Sequence, residues 1–239
     1  MKLENVTNDA PKRSDAAPRR WYEDACGTAH ALQILGERWA ILIVREMMFG
    51  PRRFGELRAG LPGISANILT QRLDGLEAAG VVVREKLPPP ANAQVYGLTP
   101  WGYEAEPIIQ VMGRWATRSP DHDPTLPLSA ASLMLSFRTM IDAGRAGDFA
   151  ARIGFRIGQD RFVATLADGQ IPVVRGNPDQ ADVTLTGDAT VIAGCVYGGV
   201  PFAQMEAAGL LSITGDRTLA ERFVTFFPLP EKITLPPRG

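Results

Sequence analysis

The segment Pro51–Leu87, PRRFGELRAGLPGISANILTQRLDGLEAAGVVVREKL, constrains the fold of this 239-residue chain more than any other stretch. Apolar residues recur at helical spacing on either side of the turn Leu61-Pro62-Gly63, and the pattern then switches to the run Val81-Val82-Val83. A short helix from about Arg53 to Ala59, a tight turn, a second helix capped by Ser65 and ending near Gly80, and then a strand are expected. Few small folds place these elements in that order.

The flanking residues extend the reading. Asp24 is expected to cap a helix that continues to Gly36. The stretch Glu37 to Met48 is apolar almost all round (Trp39, Ile41, Leu42, Ile43, Val44, Met47, Met48), which predicts a helix at the buried centre of its domain. VVVREKL and QVYGLT, on either side of the PPPAN loop (Pro88 to Asn92), predict a hairpin, and Thr99-Pro100 opens a last helix with Pro in its first turn. Together these elements make a winged helix-turn-helix, which presents one polar helix face to the major groove of DNA.

A helical wheel selects that face. At 100° per residue, Leu69, Leu73 and Leu76 cluster on one side of the helix after Ser65, with Ala66 and Ile68 flanking. Asn67, Thr70, Gln71 and Asp74 fall opposite. Asn and Gln pair bidentately with adenine, and Thr contacts a thymine methyl. Asp74 repels phosphate and sets the point where the helix leaves the groove. Arg72 lies on the flank, as an ion-pair or phosphate residue. Arg52, Arg53, Arg84 and Lys86 are expected to hold phosphates. The bland alternative is an amphipathic helix with a solvated face, and the capped helix beside an Arg-bearing hairpin argues against it.

Residues 22–118 resemble the HxlR family of bacterial transcription regulators, relatives of the MarR group. The likeness rests on Cys26, Gly36 with Arg38-Trp39, the FGPRRFGEL block, the LPGIS turn, LTQRL, and the Y-x-LT-x-x-G segment from Tyr96 to Gly102. It implies a dimeric winged helix, with dimer contacts from the first and last helices of the domain. Ile108, Ile109, Met112 and Trp115, at helical spacing within Glu104 to Trp115, are compatible with such a contact; the alternative is packing on the chain's own core or second domain. Cys26 stands where members of the family keep a redox- or electrophile-sensing thiol. A helix N-terminus lowers a thiol pKa; the alternative for Cys26 is a small buried residue.

Ser119 to Pro127, SPDHDPTLP, has no periodicity and reads as a linker. The expected organisation is an arm over 1–20, a first domain over 21–118, a linker over 119–126 and a second domain over 127–239. Leu128 to Gly144 predicts a helix capped by Ser129. FAARIGFRI, RFVATLA, QIPVVRG and ADVTLTG alternate apolar and polar residues between close turns, which predicts a four-strand antiparallel meander. The segments Thr184–Asp188 and Ser212–Asp216 echo one another. In each a strand ends at Gly and Asp is expected to cap the next helix: Asp188 to Tyr197 in one, Asp216 to Phe227 in the other. A further helix is expected from Pro201 to Ala208. This is an α+β domain with helices on one face of its sheet.

The order of elements over 128–228 resembles the sterol carrier protein fold, on the ADVTLTGD block, the GG-x-P segment at Gly198 to Pro201 and the GLLSITGD block. The resemblance implies an apolar cavity for a small apolar or aromatic effector. Phe155, Phe162, Val191, Val196, Tyr197, Phe202, Met205 and Phe223 are its candidate liners, and plain core is the alternative for each.

Composition excludes more than it assigns. Formal charge is −1 overall, +2 over 1–118 and −3 over 119–239, so any DNA-binding patch is local. Two cysteines, Cys26 and Cys195, make no disulfide framework, and with no secretory signal or apolar span in the sequence a cytoplasmic, non-membrane protein is expected. The only histidines are His30 and His122. Asp121-His122-Asp123 lacks a partner cluster for a metal, and no phosphate loop, dinucleotide fingerprint or nucleophile elbow is present, so no catalytic site, metal or cofactor is expected. The expectation is a ligand-responsive regulator, most simply a repressor, that binds operator DNA as a homodimer. The alternative is a carrier of hydrophobic ligands whose helical domain mediates protein contacts.

Overall fold

The computed structural model describes residues 22–234, so the arm expected over 1–20 lies outside the described residues. Helix α1 runs Gly27–Leu35. Asp24 does not cap it; its carboxylate accepts from the Cys26 N–H before the helix begins. Helix α2 covers only Ala40–Glu46, because Trp39 has a φ of 80° and the chain cannot spiral through it. As expected, α2 is central, with Ala40, Ile43 and Val44 buried. Its last residue, Glu46, is also buried, and its carboxylate accepts from Arg45 and from the Ser129 hydroxyl at 2.7 Å.

Helix α3 (Phe54–Gly60) and helix α4 (Ala66–Ala78) form the helix-turn-helix. Gly63 in the turn has a φ of 92°, a backbone region that side chains with a Cβ resist. Ser65 caps α4 by accepting from the Ile68 N–H. Leu69, Leu73 and Leu76 are buried, as the wheel requires. Strands β1 (Val82–Lys86) and β2 (Gln94–Leu98) pair antiparallel with Arg84 opposite Tyr96. The predicted last helix is broken in two, α5 (Pro100–Tyr103), capped by Thr99, and α6 (Glu106–Ala116), because Pro107 supplies no N–H in the turn where they meet.

In the second half, α7 (Ala130–Met140) is capped by Ser129 and α8 (Ala143–Ala146) by Asp142. Strands β3 (Ala151–Ile157), β4 (Asp160–Leu166) and β5 (Val173–Arg175) form an antiparallel meander. The fourth expected strand does not extend it. Strand β6 (Val183–Gly187) crosses over through a 3-10 turn at Pro178–Gln180 and pairs parallel with β3 on its far side. Strand β7 (Leu211–Gly215) then adds antiparallel to β6, giving the order β5-β4-β3-β6-β7. Gly154 makes the crossover possible: a Cβ there would meet Pro178 and the Thr184 hydroxyl at 2.5 Å each. Helices α9 (Ala189–Tyr197), α10 (Phe202–Ala207) and α11 (Arg217–Phe223) follow. Asp216 caps α11 as expected, but the side chain of Asp188 makes no capping bond to α9.

Both halves share one hydrophobic core. The Phe49 ring meets Phe162 edge-on at 5.6 Å between centroids, and Arg138 of α7 forks onto Glu106 of α6. The linker is itself tied down. The Arg118 carbonyl accepts from the Ile233 N–H, and Lys232 Nζ donates to the carbonyls of Ser119 and His122.

Candidate nucleic-acid interface

Helix α4 exposes Asn67, Thr70, Gln71 and Asp74, while its leucines face the core. Among the described residues, none buries the start of that polar face. Arg53 at the N-cap of α3 and Lys86 at the wing are exposed beside it. Ser65, at the head of the helix, is exposed as well.

Three of the expected cationic contacts are committed elsewhere. Arg52 is the clearest correction. Its side chain is only 13% exposed and its guanidinium binds Asp160 of β4 at 2.7 Å, with Glu56 at 3.6 Å, so it faces the second half of the chain rather than a phosphate. Arg72 is the ion-pair residue of the two roles considered: it binds Glu37 at 2.6 Å and the Arg38 carbonyl at 3.2 Å, fixing α4 to the entry of α2. Arg84 reaches from the wing to Asp74 at 2.7 Å and Glu77 at 3.0 Å and lies over the Tyr96 ring. It therefore neutralises the carboxylate expected to push phosphate away, and it fastens wing to helix.

The apolar stripe expected on the last helix differs in one residue. Ile109 is buried in the chain's own core, and α6 packs that side against α7, where Arg114 donates to the Thr139 carbonyl. The opposite side exposes Ile108, Met112, Val111 at 70% and Trp115 at 73%. Val111 stands on the exposed side where Ile109 was expected.

Cys26 is exposed, not buried. The N–H and hydroxyl of Thr28 and the N–H of Ala29 hold its thiol below the ordinary range, as expected at the start of α1. Cys195 is buried, and burial pushes its thiol up. His30 is an exposed residue of α1. Asp123 accepts from the Thr125 N–H and hydroxyl, and no group of three metal-binding side chains exists among the described residues.

The eight candidate pocket residues do not surround one cavity. Phe155, Phe223 and Tyr197 stack around Phe137, with centroid separations of 5.5, 5.3 and 6.4 Å. The Tyr197 hydroxyl is satisfied by Ser136, and burial raises its pKa. Phe162 faces Phe49 instead, and Val191, Val196 and Met205 pack against the core. Phe202 lines an open groove of about 300 Å³ with Val200 and Arg217.

What sequence reasoning missed lies between the two halves: Glu46, Asp160 and Arg175. Glu46 had a signal, as a lone acid in an otherwise apolar helix. Asp160 and Arg175 had none, since nothing local distinguishes them from other strand-end charges.

No described helix is long and apolar enough to cross a membrane. The HxlR-like helix-turn-helix family model matches residues 34–124. A Bacillus subtilis protein named as the uncharacterized HTH-type transcriptional regulator YvaP is 40% identical over 87 residues, which are 36% of this chain and 81% of that protein. The HTH-type transcriptional regulator YodB from the same organism is 38% identical over 86 residues, covering 36% of this chain and 77% of YodB. The solved structure of reduced YodB superposes with a TM-score of 0.37 at 35% identity, over 41% of this chain and 98% of YodB. The matched segment contains the turn, helix and wing described above, and at this identity over most of each relative's length the chain belongs to the HxlR-like helix-turn-helix family.

Proposed function

We propose that the protein is a DNA-binding transcription regulator that engages operator DNA as a homodimer and responds to a small ligand. The observation that carries this reading is the uncovered polar start of α4, capped by Ser65 and flanked by Arg53 and Lys86. Asn67, Thr70 and Gln71 read base edges there, and Arg53 and Lys86 hold phosphates. Arg84 and Arg72 hold the reading head rigid, and Arg52 joins it to the rest of the chain. The exposed side of α6 supplies the contact with a second copy, which brings two reading helices to two half-sites.

The second half is the sensing unit in this reading. Its paired TGD blocks and its sheet with helices support a sterol-carrier-like ancestry. The filled cluster around Phe137 speaks against a carrier function and moves any effector out of that core. Repression is the simplest outcome, since a dimer seated on an operator blocks access to it.

Fluorescence anisotropy with the DNA upstream of the chain's own coding sequence tests base readout. A bidentate base contact discriminates by about 1–3 kcal/mol. Gln71→Ala is therefore expected to weaken binding to that DNA roughly tenfold while leaving the affinity for random DNA unchanged. Equal losses on both would contradict it.

A further inference from the structure

Between the two halves lies an open cleft of about 870 Å³, walled by Arg52, Leu128, Ile157, Asp160, Arg175 and Ala189 among others. That size and an interdomain position are those of a small-molecule site. Its wall carries the acids Glu46, Glu56, Asp160 and Asp188 and the arginines Arg52, Arg161 and Arg175, and the guanidiniums outnumber the carboxylate only around Asp160. Asp160 is shared by two guanidiniums, Arg52 at 2.7 Å and Arg175 at 2.5 Å. Burial works to raise the Asp160 carboxyl, and the two arginines outweigh it and hold the group below the usual range. Three buried donors have no hydrogen-bond acceptor among the described residues: Nε of Arg52, and Nε and Nη2 of Arg175, whose guanidinium lies over the Phe162 ring. Buried donors left unpaired are costly, so this cluster is short of an acceptor. The other acids on the wall do not supply it. Glu46 is taken by Arg45 and Ser129, Glu56 Oε2 accepts from the Arg53 N–H and stands 3.6 Å from Arg52 Nε, an ion pair beyond hydrogen-bond reach, and Asp188 makes no capping bond to α9.

We propose that this cleft binds a small organic monoanion, a carboxylate on a compact apolar body, at Arg175 and Arg52 beside Asp160. The carboxylate supplies the missing acceptor, Leu128, Ile157 and Ala189 receive the apolar part, and the acids of the wall disfavour a second negative charge. This rests on the reading of the second half as the sensing unit, and it gives that unit a route to the DNA-facing surface. Arg52 exchanges both main-chain hydrogen bonds with Tyr96 of β2, each at 2.8 Å. The Tyr96 ring lies under Arg84, which holds Asp74 and Glu77 of α4. A ligand that draws Arg52 away from Asp160 thus acts on the strand that positions the wing. A ligand shifts such an equilibrium only through unequal affinity for its two states, and Arg52 is the residue whose partners differ between them.

The test is isothermal titration of the full chain with phenylacetate and hexanoate, against 2-phenylethanol and 1-hexanol, with DNA anisotropy read in parallel. Saturable binding of a carboxylate at one per chain, at least tenfold tighter than its alcohol and at least tenfold weaker in Arg175→Gln, is expected. Arg175→Lys should recover part of the loss, since it keeps the charge without the fork. Thermal melting of both variants checks that they fold, and a direct contact predicts the loss only for carboxylates. No preference for carboxylate over alcohol, or equal affinity in a folded Arg175→Gln, overturns the site. The two readings fail separately: carboxylate binding without DNA binding removes the regulator, and DNA binding without carboxylate binding removes the cleft.

Discussion

Replacing Asp160 with Ala tests how firmly the two halves are held together. The carboxylate is 20% exposed, and its partners Arg52 and Arg175 are 13% and 22% exposed. Removing one member of a fully buried ion pair costs about 3–5 kcal/mol, whereas exposed pairs contribute about 0–1 kcal/mol. A cluster four-fifths buried belongs between these limits, nearer the first, because the substitution leaves Arg52 and Arg175 facing one another without their shared anion. The expected loss is about 2–3 kcal/mol, or roughly 5–10 °C in melting temperature for a chain of this size. Acidity supplies an internal check. Asp160 is held below its ordinary value in the folded chain, so its contribution is complete above the unfolded carboxyl pKa of about 3.9 and disappears as pH falls through the folded value. The gap between wild type and Asp160→Ala in urea unfolding should therefore be constant from pH 7 to pH 5 and narrow only below about pH 4. A loss under about 0.5 kcal/mol at pH 7, or a gap that closes between pH 7 and 5, refutes the argument.

Two further expectations concern the surface. Val111→Glu and Trp115→Glu place a charge on side chains that α6 leaves outside the core, so sedimentation should show a dimer becoming a monomer with melting nearly unchanged. A wild type already monomeric at micromolar concentration rules out that face as the contact. At pH 7 iodoacetamide should label Cys26 at least tenfold faster than Cys195, because one thiol is lowered and exposed and the other raised and buried; equal rates by mass spectrometry would count against the account of the α1 start.

Helix α4 was legible in the sequence because its determinants are local. A cap three residues from the N–H that donates to it and leucines spaced for one face need no knowledge of the rest of the chain. The hairpin was legible for the same reason. Arg52 was misassigned because its partner is 108 positions away, and a basic residue beside a helix-turn-helix has the same local appearance whichever way it points. The sheet order failed similarly. Alternation identifies β6 as a strand, but only the packing of Gly154 under Pro178 decides that it crosses to the far side of β3. Asp188 had the sequence context of a cap, and that context alone does not make the bond. The eight pocket candidates are apolar or aromatic side chains, a property that cannot distinguish residues that line a space from residues that fill it.

The continuous apolar interior beneath both halves has an engineering corollary. Phe49 leans on Phe162, and Glu46 is sealed under Ser129, so neither half ends in a surface ready for water. Grafting the second half onto another helix-turn-helix, or borrowing this helix-turn-helix for another partner, would uncover greasy patches and a stranded carboxylate. The two parts are therefore not interchangeable cassettes joined by a string, and recombination that trades them has to carry the residues of the seam along.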